Sequence, residues 1–365
     1  MSATAQILTF SETSSDAARV VGVHTSSIPP TTPSLIPADA VLLRLLAFPI
    51  NPQDLMAIAG RYPVKPVHHH ADQPIPGNDG VARVEAVGAA VKHLQPGDHV
   101  IPKRHGLGTW RSHAVLPAAD LLKVPAAIEP AAASLLKMGA APAYLLLEDM
   151  RALKPGDWVV LNAGRGVIPQ MVTQFARIRG CRTISVIRGR GDFEAVAQTL
   201  REIGADVVVS EEQLEQAGVT AHPELQAAVE QNRVVLALDA VFGASGERLA
   251  ALLAPDGTFV NYGSLGGADG VLRLSQQTLF WKQIKFRNFR LSQQFGLRSV
   301  LEQESLLGWF GELLLQGRLK TPVVEKVAWD QGSGAADLSE AVKRSLQLAT
   351  EKPLGVKKQV FVAQV

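Results

Sequence analysis

The sequence predicts an α/β protein made of a β-rich part and a doubly wound parallel sheet, and three observations predict it. Up to about residue 138, short apolar or alternating runs are separated by Pro, Gly and Asp, which reads as strands and turns. From about 139 to 288, strand-like apolar runs alternate with amphipathic segments of helix length, the pattern of a parallel sheet covered by helices. At 365 residues, 47% of them hydrophobic, with 31 Gly and 22 Pro, the chain is long for one domain and comfortable for two.

Taken in order, strands are expected at 5–10, 19–23, 40–47, 80–87, 99–101 and 112–116, and Pro96-Gly97-Asp98 marks a tight turn before one of them. Such a run suits a small barrel-like core. Residues 131–150 read as largely helical, and Lys154-Pro155-Gly156-Asp157 is a turn. Strand 158–161, helix 170–179 and strand 183–187 follow, then further units at 193–203, 206–209, 225–231, 234–238, 246–253 and 258–262. Beyond about 288 come irregular segments, a helix at 301–315, a strand at 323–328, a helix at 338–349 and a last strand at 359–362. This β, then α/β, then mixed order predicts that 289–365 packs back on the first part, with the α/β part at 139–288 inserted between.

The stretch from Asn162 to Arg190 is the most telling. It runs strand, Gly-bearing turn, helix, strand, the unit that sets a helix N-terminus against a dinucleotide pyrophosphate. Arg188 and Arg190 stand just past the second strand. An acidic residue there would accept ribose hydroxyls, whereas arginine suits the additional phosphate of NADP. The turn has Gly164, Arg165 and Gly166, but Val167, Ile168 and Pro169 follow where a third glycine is usual. Proline is tolerated in a first helical turn but removes one backbone donor. The alternative is an ordinary strand–helix–strand crossover that only packs.

Net charge of +2 gives no general polyanion-binding surface, and the 5% aromatics do not interleave with basic clusters, so no nucleic-acid partner is expected. No apolar run approaches the ~20 residues of a membrane span. The single cysteine, Cys181, allows neither an intramolecular disulfide nor a multi-cysteine zinc site. His68-His69-His70 lies in a Pro-rich segment and reads as a loop, so no metal site is expected. Residues 1–23 lack a basic region before an apolar core and carry Glu12 and Asp16, from which a cytoplasmic protein is expected.

Several stretches together resemble the zinc-free branch of the medium-chain dehydrogenase/reductases, and within it the mitochondrial-type enoyl thioester reductases. They are Asn51-Pro-Gln-Asp54, Gly60-Arg-Tyr-Pro63, Pro76-Gly-Asn-Asp-Gly80, Gly88 with Pro96-Gly-Asp98, Gly108-Thr-Trp-Arg111, Ala143-Tyr144, Asn162-Ala163, Arg188-Gly-Arg190, Asn261-Tyr-Gly263 and Lys358-Gln359. The resemblance implies a GroES-like catalytic domain built from both chain ends and a Rossmann domain, with the site in the cleft between them, NADPH as cofactor and a homodimer. It implies reduction of an activated C=C bond in a small-molecule substrate. A 2-enoyl thioester is favoured and a quinone or enone is the alternative; a cofactor-poor binding protein is a third reading. Where zinc-dependent members have Gly-His-Glu, this chain has Gly77-Asn78-Asp79.

By the same resemblance, Tyr62 and Trp110 are the catalytic candidates. Tyr62 would donate to the developing enolate, and Trp110 would either shape the cleft edge or close the barrel core. Arg111 reads as a structural ion-pair partner. Asn162, Gly164, Arg165, Gly166, Val167, Arg188, Arg190, Tyr262 and Gly263 are the cofactor-binding candidates, and Asn51, Phe289, Arg290 and Lys358 the substrate candidates. The chain departs from the family pattern at Gly139 and Pro142, at Val167-Ile-Pro169, and at Phe289-Arg290, where Arg290 would admit an acidic or phosphate-bearing substrate.

Overall fold

The structure is a computed structural model that describes residues 4–29, 32–267, 270–329, 335–352 and 354–363. Two compact units emerge from it. The first comprises the described parts of Met1–Lys137, Val300–Gln316 and Val323–Val365; the second comprises those of Met138–Ser299 and Gly317–Pro322.

The first unit is organised on the strand Ala40–Pro49, whose residues are buried except for a half-buried Arg44. A strand buried on both faces loses the alternation of a surface strand, and AVLLRLLAFP shows that loss. It pairs antiparallel with Val81–Val87 and with His113–Pro117, and His99–Pro102 and Leu121–Val124 extend the sheet beyond Val81–Val87. The final strand, Lys358–Ala363, lies antiparallel to its other end, with Val360 opposite Pro49, and carries Val324–Trp329 in parallel. Strands from 40–124 and from 324–363 therefore share one sheet. Its core holds Phe48 against Trp329 (ring centroids 5.0 Å apart), Phe361 (5.2 Å) and Trp110 (6.5 Å). Aromatic pairs at these separations add ~0.5–1.5 kcal/mol each beyond the area they bury.

The second unit is a six-stranded parallel sheet. Its spatial order is Val207–Ser210, Arg182–Ile187, Trp158–Leu161, Val234–Asp239, Thr258–Asn261, Lys285–Asn288. Numbered along the chain this is 3-2-1-4-5-6, the doubly wound order of a Rossmann sheet, in which ligands bind at the carboxyl ends of strands where the order reverses. The reversal falls between Trp158–Leu161 and Val234–Asp239.

Three local features differ from expectation. The helical stretch 131–150 is broken into Pro130–Ala133, a π-turn Leu136–Ala140 and a helix Ala141–Glu148. Pro142 is the reason: it cannot sit inside a helix, and it falls in the first turn of the last segment, where its missing N–H is harmless. Gly139 has a separate role, because a Cβ there would lie 2.7 Å from Val167 Cγ1. The sixth strand, Lys285–Asn288, was not expected; KFRN is a charged, largely exposed edge strand with no apolar pattern.

Candidate active site

The first unit contains a buried polar cluster that begins at a helix start. Asn51 precedes the helix Pro52–Ile58, and Asp54 in its first turn accepts the Asn51 N–H through Oδ2 at 2.8 Å. Asp54 Oδ1 accepts both the backbone N–H (2.9 Å) and the side-chain amide (2.8 Å) of Asn78, and Asn78 Oδ1 accepts the Gly106 N–H at 2.8 Å. Lys358 donates to Asn51 Oδ1 at 2.7 Å and to the Ile50 carbonyl at 2.9 Å. Lys137, fully buried beside Leu136 at the start of the π-turn, donates to the Pro102 carbonyl at 2.6 Å.

Burial dominates the electrostatics here. It pushes the Asp54 carboxyl up to about 6 despite its three N–H donors, and the Asp79 carboxyl up to about 7 against the opposing charge of Lys137. It pulls Lys358 down to about 8 and lowers Lys137, with both carboxylates pulling the other way. Within this cluster, Asn51 Nδ2 and Asp79 Oδ2 are buried without a hydrogen-bond partner among the described residues. Such orphans are costly in a purely structural cluster and mark places where a ligand can bind.

Tyr62 is half-buried and its hydroxyl lies 2.7 Å from His105 Nδ1. Burial and the charge of Asp54 push the phenol up to about 12. Of the two places open to Trp110, the structure gives the core. It is completely buried against Phe48, so it packs the sheet core and shapes no open edge. Gly77 is glycine to make room for it, since a Cβ at its φ of +105° would lie 2.5 Å from Trp110 Cδ1. Arg111 pairs with no carboxylate; it is buried and donates to the Leu107 carbonyl at 3.0 Å. The Asp54, Asn78, Asp79, Lys137 and His105 positions escaped the sequence reading. The Asn51–Asp54 spacing, a helix start with an acidic third residue, was a usable signal for the first; nothing local marks Lys137 or His105.

In the second unit the carboxyl ends of the strands are laced by side chains. The Asn162 amide donates to Asp239 Oδ1 (2.6 Å) and Ser245 Oγ (2.9 Å), and its oxygen accepts the Ala240 N–H (2.8 Å). Asp239 Oδ2 in turn accepts from Asn261 at 2.8 Å. Asn162 is thus a buried clamp on strand ends, with its side chain already committed, rather than a group that reaches for a cofactor. Gly164 and Gly263 allow close approach: a Cβ would lie 2.9 Å from Ile187 Cγ2 and from the Ala240 carbonyl oxygen respectively. Tyr262 follows the fifth strand, half-buried, with its hydroxyl pKa pushed well up by burial.

Gly166 starts the helix Val167–Ile178 without any side-chain cap. The first-turn N–H groups of Val167 and Ile168 have no intrahelical acceptor, and an uncapped helix start is a ready anion site. Arg165 pairs with Asp192 at 2.8 Å. Burial and then the charges of Arg190 and Arg165 hold the Arg188 guanidinium below its usual value, so three arginines share one electropositive neighbourhood. An uncapped helix start with an arginine cluster past the next strand fits a dinucleotide carrying an extra phosphate. Phe289 is buried, its N–H donating to the Asn261 carbonyl at 2.9 Å beyond the edge strand, and Arg290 is exposed at the start of the helix Leu291–Gly296. The structure therefore gathers Asn51, Tyr62 and Lys358 in the first unit, and the cofactor candidates with Phe289 and Arg290 in the second. Among the described residues no three His, Cys, Asp or Glu side chains converge as a metal site, and no helix is long and apolar enough to cross a membrane.

Comparison with known proteins gives two domain families, Alcohol dehydrogenase GroES-like domain at residues 37–126 and Zinc-binding dehydrogenase at 168–304. The mitochondrial enoyl-[acyl-carrier-protein] reductase of Bos taurus is 37% identical over 290 residues, covering 79% of this chain and 74% of that protein. Among solved structures, the Etr1p/NADP/crotonyl-CoA complex superposes with a TM-score of 0.85 at 23% identity, over 98% of this chain and 99% of that one. The Escherichia coli quinone oxidoreductase complexed with NADPH gives 0.76 at 22%, over 98% and 99%. The bovine relative is a mitochondrial protein, which overturns the cytoplasmic expectation; Glu12 and Asp16 described the composition of one segment and did not define a compartment.

Proposed function

From the premise that the chain belongs to the enoyl-[acyl-carrier-protein] reductase family, in the zinc-free branch of the medium-chain dehydrogenase/reductases, we propose that it is an NADPH-dependent reductase of 2-enoyl thioesters. The observation that carries this reading is the Tyr62 hydroxyl, a proton-bearing group held beside a buried cluster that keeps an unpartnered amide donor at Asn51.

When bound, NADPH supplies a hydride to the substrate β-carbon. The N–H groups of Val167 and Ile168 would receive its pyrophosphate, and Arg188 and Arg190, with Arg165, would receive the 2′-phosphate. Gly164, Gly166 and Gly263 leave room for backbone to approach it, and Tyr262 stands beside Gly263 at the same strand end. Negative charge then develops on the thioester oxygen. Asn51 Nδ2 donates to it, with the Lys358 ammonium holding the Asn51 oxygen and so fixing the amide's orientation. Tyr62 delivers a proton to the α-carbon. Arg290, exposed in the second unit, is a cation available to a phosphate-bearing carrier of the acyl group.

The test is a panel of crotonyl-CoA and simple quinones with NADPH. Oxidation of NADPH by crotonyl-CoA, falling ~10²-fold in Tyr62→Phe with NADPH affinity retained, supports the reading. Turnover of quinones alone would replace it with a quinone reductase. A melting point unmoved by millimolar NADPH and NADH would replace it with a cofactor-poor binding protein. The same reading includes a homodimer formed through the second unit. Its support is the exposed edge strand Lys285–Asn288 together with exposed Leu279, Phe280 and Trp281 just before it. Light scattering after size exclusion tests it, and a monomeric mass would remove it.

A further inference from the structure

We propose that His105 is a positioning residue that acts through Tyr62, holding the phenolic oxygen at Nδ1 and returning a proton to it after each turnover. This rests on the reading of Tyr62 as the proton source. The pair is built rather than incidental. The loop carrying Tyr62 is stapled to the loop carrying His105 by the Val67 N–H donating to the Gly106 carbonyl at 2.9 Å. The Gly106 N–H is itself fixed to Asn78, the same side chain that anchors Asp54. Gly106 has φ of +84°, and a Cβ there would lie 2.7 Å from the Lys65 carbonyl oxygen, so the close approach of the two loops requires glycine. The rings end 5.9 Å apart, tilted by 37°.

The charges around the pair set its chemistry. Burial and then the charge of Lys137 hold the His105 imidazole down at about 4, so it is neutral in neutral solution, while Asp54 faces Tyr62. A neutral imidazole has one N–H and one lone pair. With the proton on Nδ1 it donates to the Tyr62 oxygen and leaves the phenolic O–H directed to the substrate. Once Tyr62 has given its proton to the α-carbon, a phenolate stands next to Asp54, where a second negative charge is unfavourable. The Nδ1–H bond then breaks and an O–H bond re-forms on Tyr62. At the same time Nε2 takes up one proton from an acid in solution. The ring stays neutral, and one solvent proton replaces the one delivered to carbon. Exchange with water restores the Nδ1–H tautomer.

The experiment measures kcat and KM for crotonyl-CoA with NADPH in His105→Ala, His105→Asn, Tyr62→Phe and the Tyr62→Phe/His105→Ala double variant. His105→Ala should lower kcat at least ~10-fold with KM and the melting point little changed, and added imidazole should restore part of it. His105→Asn keeps a donor near the Nδ1 position but cannot pass a proton, so it should stay slow; full rescue by Asn would show a structural role and overturn the relay. The double variant should be no slower than Tyr62→Phe alone, because His105 acts only through that hydroxyl. Losses that multiply would overturn the proposal. If Tyr62→Phe loses turnover while His105→Ala does not, the relay alone falls; if Tyr62→Phe keeps full turnover, the reading of Tyr62 falls and the relay with it.

Discussion

Removing Arg188 and Arg190 together should abolish the discrimination between NADPH and NADH. A hydrogen bond to a charged partner contributes about 1.5–3 kcal/mol when shielded. Arg188 is exposed and Arg190 only half-buried, so solvent screening cuts each contribution to roughly 1–1.5 kcal/mol. Two of them make about 2–3 kcal/mol, or roughly 30- to 150-fold in Kd at 1.36 kcal/mol per decade. Arg165 adds less, because Asp192 already holds it at 2.8 Å. The Arg188→Ala/Arg190→Ala variant should therefore bind NADPH about 30- to 150-fold more weakly and NADH within about threefold of the parent, since NADH presents no 2′-phosphate. Titration calorimetry with both nucleotides at two salt concentrations measures this. The parent's preference should shrink at the higher salt. An equal loss of both nucleotides would mean that the arginines support the turn rather than the phosphate, and no loss would remove them from the site.

Three further outcomes follow from the packing and the buried charges. Gly77→Ala should cost about 3–5 kcal/mol in urea unfolding, because the methyl meets Thr109 and Trp110 at a left-handed φ; a loss under ~1 kcal/mol would contradict the packing. Trp110→Ala should cost about 3–5 kcal/mol by the cavity it leaves, and NADPH affinity, which the proposed function assigns to the second unit, should be retained; a strong loss of that affinity with an unchanged melting point would contradict the core assignment. Asp79→Asn tests the raised carboxyl. Since the folded protein holds Asp79 at about 7 against an ordinary 3.8, its contribution to stability is present below pH ~4 and lost as pH rises through 7. The melting point of Asp79→Asn relative to the parent should rise from pH 4 to pH 8, and a flat difference would refute the burial argument.

The parallel sheet was legible because its strands, such as Trp158–Leu161 and Val234–Asp239, are buried and nearly all apolar, and helices of clear periodicity separate them. Lys285–Asn288 was not, because an exposed edge strand needs no apolar pattern to pair on one side. Residues 131–150 show how local chemistry is legible without its outcome: Pro142 signals an interruption, yet only the packing reveals a π-turn that brings Lys137 against the Pro102 carbonyl. Trp110 stayed open because a glycine-flanked indole reads alike at a cleft edge and in a core; the core reading is decided by Phe48, a residue 62 positions earlier. His105 reaches Tyr62 across 43 positions, and Lys137, whose charge acts on Asp79, sits in a π-turn far along the chain from it, so no window of sequence contains either relation.

The strand that closes the first sheet also orders events during synthesis. The continuous Met138–Ser299 body leaves the ribosome, and has time to fold, before Val360 exists to meet Pro49. At ~5–20 residues per second, the roughly 310 residues between these partners take on the order of 15–60 s to make. For that interval AVLLRLLAFP is exposed along the edge where its last neighbour belongs, a nearly uncharged stretch of high strand propensity. The nascent chain thus carries its strongest aggregation hazard near its beginning and its remedy at its end, which makes it a natural client for chaperones that hold apolar strands until translation finishes.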